Sequence, residues 1–108
     1  MNVIKMEPGR EPEIVSIAPG AAGLDDILGA APYGVAIDPA GLYIAFVGGV
    51  ALRGGTAWYY APATGKILSG TVVITRHDHQ MAPASVHAED LGRVAGLLQP
   101  VDAYGEVC

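Results

Sequence analysis

The densest run of branched apolar residues in the chain is Ile67-Leu68-Ser69-Gly70-Thr71-Val72-Val73-Ile74-Thr75-Arg76. In an extended chain Thr71, Val73 and Thr75 share one face and Val72 and Ile74 the other. Branched side chains on both faces predict an interior strand, around which the sheet is organised. Before it, 2–7 and 13–17 alternate weakly and predict a hairpin across Glu7-Pro8-Gly9-Arg10. In that turn proline presets φ at the second position and glycine supplies positive φ at the third. Pro12 then fits only at a strand start or a sheet edge. Leu24, Ile27 and Leu28 at helical spacing predict a short helix from Ala21 to Leu28, ended by Gly29. Tyr33 to Ile37 and Leu42 to Val47 predict a second hairpin across Asp38-Pro39-Ala40-Gly41.

Further along, Val50 to Arg53 is flanked by glycine pairs and predicts a bend or bulge. Trp58-Tyr59-Tyr60 reads as a short strand or a packed loop. Ala88, Leu91, Val94, Ala95 and Leu98 form an amphipathic stripe that predicts a second helix closed by Pro100. Asp90 follows His87 by three residues, the spacing of a capping box. Gly92 and Gly96 lie on one face of this helix, suited to close approach to the sheet or to another subunit. The order predicts an α+β fold: one small antiparallel or mixed sheet of about five to six strands, with both short helices on one face. Residues 1–100 are expected to form a single domain and 101–108 a loose C-terminal tail.

Composition narrows the function classes. The 108 residues are 51% hydrophobic and only 16% charged, which excludes disorder over most of the length. The most apolar stretch, Leu42 to Leu52, is about half of the ~20 residues that a membrane helix needs and contains Gly48 and Gly49. No membrane association or secretory leader is expected, and a cytoplasmic location follows as the default. Eleven acidic against six basic residues give a net charge of −5, and Lys5, Arg10, Arg53, Lys66, Arg76 and Arg93 are scattered singly. Nonspecific nucleic-acid binding, which needs clustered cations, is therefore not expected. The single cysteine, Cys108, allows neither an internal disulfide nor a thiolate metal cluster.

Two constellations carry candidate chemistry. His77-Asp78-His79 places two imidazoles on one face of an extended chain, and His87 is a possible third ligand for zinc or another divalent metal. The alternative is a polar loop leaving the sheet. Arg53-Gly54-Gly55-Thr56 with Trp58, Tyr59 and Tyr60 is the second. Glycines admit a phosphate to the backbone, an arginine (Arg53, with Arg76 nearby in the strand) clamps it, and the rings of Trp58 and Tyr60 stack on a base. The alternative is a bulged connection whose rings fill the core. Neither a P-loop nor a G-x-G-x-x-G after a strand is present, and no serine sits in a nucleophile elbow. No cofactor and no catalytic residue is assigned.

The opening Val3-Ile4-Lys5-Met6-Glu7-Pro8-Gly9-Arg10-Glu11-Pro12-Glu13, with its K-x-E-P-G-x-x-P motif, resembles a family of small proteins carried by phages and other mobile elements, a domain of unknown function. The resemblance continues through Leu24 to Gly29, Leu68 to Ile74 and Ser85 to Asp90, in order. Phe46-Val47-Gly48-Gly49 replaces the family's polar turn, and its Asn-Arg pair stands here as Leu52-Arg53. The resemblance implies a mobile-element origin and transfers no catalytic residue. The expectation that follows is a non-enzymatic phage or prophage accessory protein acting by binding, as a homo-oligomer, against a host process such as defence signalling. One version sequesters a small nucleotide at Arg53 and the nearby aromatics. The alternatives are a metal-dependent enzyme built on His77 and His79, and a scaffold that binds a host protein.

Overall fold

The computed structural model describes residues 1–7, 10–19, 21–29, 32–48, 57–69, 71–77 and 83–102. The central run forms the middle of a six-stranded sheet through β7 (Val72–His77). Val72, Val73, Ile74 and Thr75 are all fully buried, as an interior strand with apolar residues on both faces requires. On one side β7 pairs with β1 (Asn2–Met6), which in turn pairs with β2 (Glu13–Ser16). On the other it pairs with β4 (Tyr43–Gly48), which pairs with β3 (Pro32–Ala36). A two-residue β8 (Pro83–Ala84) adds to the far end of β7. Every pairing is antiparallel. The two expected hairpins are thus the two wings of this sheet, and the late central strand joins them.

A second, three-stranded sheet has the order β6-β5-β9, from β5 (Ala57–Ala61), β6 (Lys66–Ser69) and β9 (Gln99–Asp102). This corrects two expectations. The run 67–76 is two strands in two sheets, broken between Ser69 and Val72, where Gly70 interrupts the branched residues. Residues 101 and 102, expected in a loose tail, pair with β5, so the C-terminal part of the chain contributes a strand. Pro100 is tolerated there because β9 is an edge strand, which needs hydrogen bonds on one side only. Residues 103–108 lie outside the described residues.

The α+β class and the antiparallel sheet of about six strands are as expected; the placement of the helices is not. α1 (Ala21–Leu28) buries Leu24 against Val3 and Val73, with Ile27, Leu28 and Phe46 around it. α2 (Asp90–Ala95) buries Val94 among Ile4, Ile74, Ala45 and Val47. Successive strand residues point to opposite faces, so Val3 and Val73 mark one face and Ile4 and Ile74 the other. The helices therefore lie on opposite faces, and the three-stranded sheet shares the α2 side through Tyr59, Ala61 and Leu68.

Local signals explain the ends of the elements. Gly29 has φ 70° and its N–H reaches the Asp25 carbonyl at 2.8 Å, the left-handed closure that glycine allows without Cβ strain. At the β3–β4 turn, Asp38 Oδ1 accepts from the Ala40 N–H at 3.0 Å and Gly41 takes φ 74°. Gly92 and Gly96 do not approach the sheet: a Cβ at Gly92 would stand in open space, and one at Gly96 would meet only α2's own carbonyls.

Candidate functional site

Arg76, expected to serve a ligand, sits near the end of β7, where it faces Asp90. Asp90 begins α2 with a fully buried carboxylate. The segment that delivers it is tied to β1: the Ser85 hydroxyl accepts from the Asn2 N–H at 3.1 Å, and the Val86 N–H donates to the Asn2 carbonyl at 2.9 Å. Asp90 Oδ2 accepts from the His87 N–H at 2.7 Å, which is the returning half of the capping box that the spacing predicted. Oδ1 accepts from the Tyr43 hydroxyl, and Arg76 Nη1 lies 3.7 Å from Oδ2. Burial alone would push the Asp90 carboxyl up. The Tyr43 hydroxyl, the His87 N–H and the Arg76 guanidinium outweigh it and hold the group below the usual aspartate range. Burial and the neighbouring carboxylate raise Tyr43 in turn. A carboxylate held ionised, with both oxygens accepting hydrogen bonds, is a poor general base at neutral pH. This cluster fastens α2 to the sheet and pairs Arg76 with Asp90.

Of the other expected site residues, His87 joins this cluster through its backbone N–H alone, and several lie outside the described residues. Tyr60 lies on β5, half-buried; its neighbours Tyr59 and Ala61 face the core, so Tyr60 points away from the face that holds Arg76. Trp58 lies on β5 in register with Ser69 and Val101. Arg53, Gly54, Gly55 and Thr56 lie outside the described residues. So do Asp78 and His79 of the metal constellation. His77 ends β7, and neither of its buried ring nitrogens has a hydrogen-bond partner among the described residues. His87 is exposed, with its backbone committed to Asp90. Among the described residues no three histidine, cysteine or acidic side chains gather into a metal-binding group.

Sequence reasoning missed a groove that the exposed side chains mark. Among the described residues the large hydrophobics left exposed are Tyr33, 56% accessible, and Ile67, 50% accessible. Both line one groove of about 250 Å³ between β3 and β6, with Gly34, Val35, Ala36 and Lys66. β3 is the outer strand of the six-stranded sheet and β6 the outer strand of the three-stranded one. The groove is thus bounded by two strand edges. Lys66 makes no ion pair among the described residues. A second groove, of about 380 Å³, runs between β2 and α1 beside Lys5, Val15, Ile17 and Asp26. Its lysine is held by Glu7 at 3.1 Å, and Val15 and Ile17 are packed against Leu24 and Val3. The β3–β6 groove was foreshadowed only by the lack of charge along Pro32-Tyr33-Gly34-Val35-Ala36.

No helix of the described residues is long and apolar enough to cross a membrane. Comparison with family models, curated proteins and solved structures finds no match to this chain.

Proposed function

We propose that the chain is a non-enzymatic binding protein whose recognition surface is the β3–β6 groove. The observation that carries this reading is that the two large hydrophobics left in solvent among the described residues, Tyr33 and Ile67, flank the same cleft. Exposed apolar side chains are ordinary singly; gathered on one concavity, beside a lysine with no ion pair among the described residues, they mark a contact. The chemistry of the Asp90 cluster supports the non-enzymatic part, since its polar groups are spent on one another.

The K-x-E-P-G-x-x-P opening supports the rest of the proposal: an accessory protein of a phage or prophage, acting in the host cytoplasm on a host component. The open space over Gly92 supports contact between copies of the chain there. Sequestration of a small nucleotide is the narrower version, with Tyr33 and Lys66 taking the parts first assigned to Trp58, Tyr60 and Arg53.

The test compares the wild-type protein with a Tyr33→Ser, Ile67→Ser double variant. Each is offered a panel of cyclic and linear nucleotides in a thermal-shift assay, and each is used as bait in bacterial lysate. Binding in either arm should be present in the wild type and lost in the double variant. In the first arm, a ligand at 100 times its Kd adds about 2.7 kcal/mol to the wild type. Equal binding by the two proteins, or none by either, refutes the proposal.

A further inference from the structure

We infer that the groove is a β-augmentation site, taking an extended segment of a partner protein that carries an acidic residue flanked by apolar ones. This rests on the groove being the recognition surface, and it names what enters.

Three observations select that occupant. First, the edge of β3 offers backbone. The Leu42 carbonyl accepts from His77 on β7, so the alternate residues Tyr43, Ala45 and Val47 bond to β3. The Ala36 carbonyl is left facing outward, where it accepts from Thr64 Oγ1 at 2.8 Å. In an antiparallel strand N–H and C=O of one residue point the same way, and alternate residues share that direction. Gly34 therefore turns both its N–H and its C=O to the outer side of β3, where an added strand can pair with both.

Second, the two edges of the six-stranded sheet are not alike. The β2 edge carries Glu13, preceded by Glu11 and Pro12, which are the ordinary guards against an added strand. β3 has no charged side chain; its Pro32 shares the outward side with Gly34 and withholds one N–H, at the first position only. Gly34 adds no side chain of its own beside the incoming strand.

Third, the charge at the groove is opposite to that of the chain. Its lining includes Lys66 and no acidic residue, on a protein of net charge −5. A carboxylate on the incoming strand meets Lys66, and its alternate apolar side chains meet Tyr33 and Ile67. A second copy paired β3 to β3 across a two-fold axis would instead bring Lys66 towards its own symmetry mate.

The test is a random heptapeptide display library panned on the immobilised intact chain, with enriched peptides resynthesised and titrated calorimetrically. The expected peptides carry Asp or Glu with apolar residues at alternate positions. Lys66→Glu should weaken them at least about tenfold, the scale of one lost charge-assisted hydrogen bond. Gly34→Pro removes the outward N–H while leaving the β3–β4 ladder, and should weaken them similarly. Lys66→Glu is a surface change, so the experiment reads out even if Gly34→Pro does not fold. No enrichment, enriched peptides without an acidic residue, or peptides indifferent to Lys66→Glu overturn the inference. If nucleotides bind in a manner dependent on Tyr33 and Ile67 while no peptide does, the augmentation fails and the groove's recognition role stands. If nothing depends on Tyr33 and Ile67, both fail.

Discussion

Replacing Asp90 by Asn tests the account of how α2 is held. The wild-type carboxylate is fully buried and serves the Tyr43 hydroxyl, the His87 N–H and Arg76. The amide is nearly the same size, so no cavity forms, but one acceptor oxygen becomes an NH2 donor. The remaining oxygen can keep the His87 N–H, and the Tyr43 hydroxyl must turn to accept from the NH2. Hydrogen bonds to a charged group contribute about 1.5–3 kcal/mol each, against about 0.5–1.5 for neutral ones. Two such exchanges, with loss of the attraction to Arg76, cost about 2–3 kcal/mol. That is a large share of the roughly 5–15 kcal/mol expected for a domain of this size. Asp90→Ala leaves the Tyr43 hydroxyl and the His87 N–H without a partner and should cost more, about 3–5 kcal/mol. In urea unfolding at pH 7, Asp90→Asn should lower the midpoint by about 1 M or more with the slope unchanged.

The pH dependence of this difference is a second readout of the same substitution. The folded-state pKa of Asp90 lies below the ordinary aspartate value. Its contribution is therefore fully present above the unfolded pKa of about 3.9, and is lost as the pH falls through the lower folded value. Wild type and Asp90→Asn should converge in stability in strong acid. A variant within about 0.5 kcal/mol of wild type at pH 7, or a difference that persists unchanged at low pH, refutes the reasoning.

Two further substitutions probe the core. Thr75 is fully buried and its hydroxyl has no hydrogen-bond partner among the described residues, so Thr75→Val should raise the urea midpoint by an amount worth about 1 kcal/mol; a loss of stability would mean that the hydroxyl is engaged. Tyr59 is buried and its phenol is pushed up to about 12, first by burial and then by Glu7, so the stability it contributes is complete below pH 10 and declines as the pH rises from 10 towards 12. Tyr59→Phe should flatten the alkaline limb of a stability–pH curve, and an unchanged limb counts against that burial.

Local signals were legible wherever neighbours in sequence are also neighbours in space. The hairpins 2–16 and 32–48 and the helix 21–28 follow from Pro-Gly turn chemistry and from the spacing of Leu24, Ile27 and Leu28. Burial on both faces of Val72 to Thr75 was readable from their branched side chains. The assignment of Lys66–Ser69 to a second sheet was not: an apolar strand reads alike in either sheet, and the partners of β6 and β9 are both in β5. The second helix was predicted longer than the observed Asp90–Ala95, because Leu98 shares its stripe but belongs to the chain leading into β9. At the site, the His87–Asp90 spacing was visible, whereas Tyr43 as its third member depends on the β4–β7 register. The groove is a meeting of two sheet edges, which periodicity along one strand does not encode.

The position of β7 also governs how the polypeptide leaves the ribosome. Ile4 and Ala45 both wait for Ile74 as their cross-strand neighbour. Each wing emerges with one bare margin and stays so until most of the sequence has been synthesised. Contacts of such long separation close slowly, and unpaired strand margins are the usual seeds of misassembly. During translation, therefore, the nascent chain is exposed to chaperones and to accidental pairing for longer than a protein of this length built from successive neighbours would be.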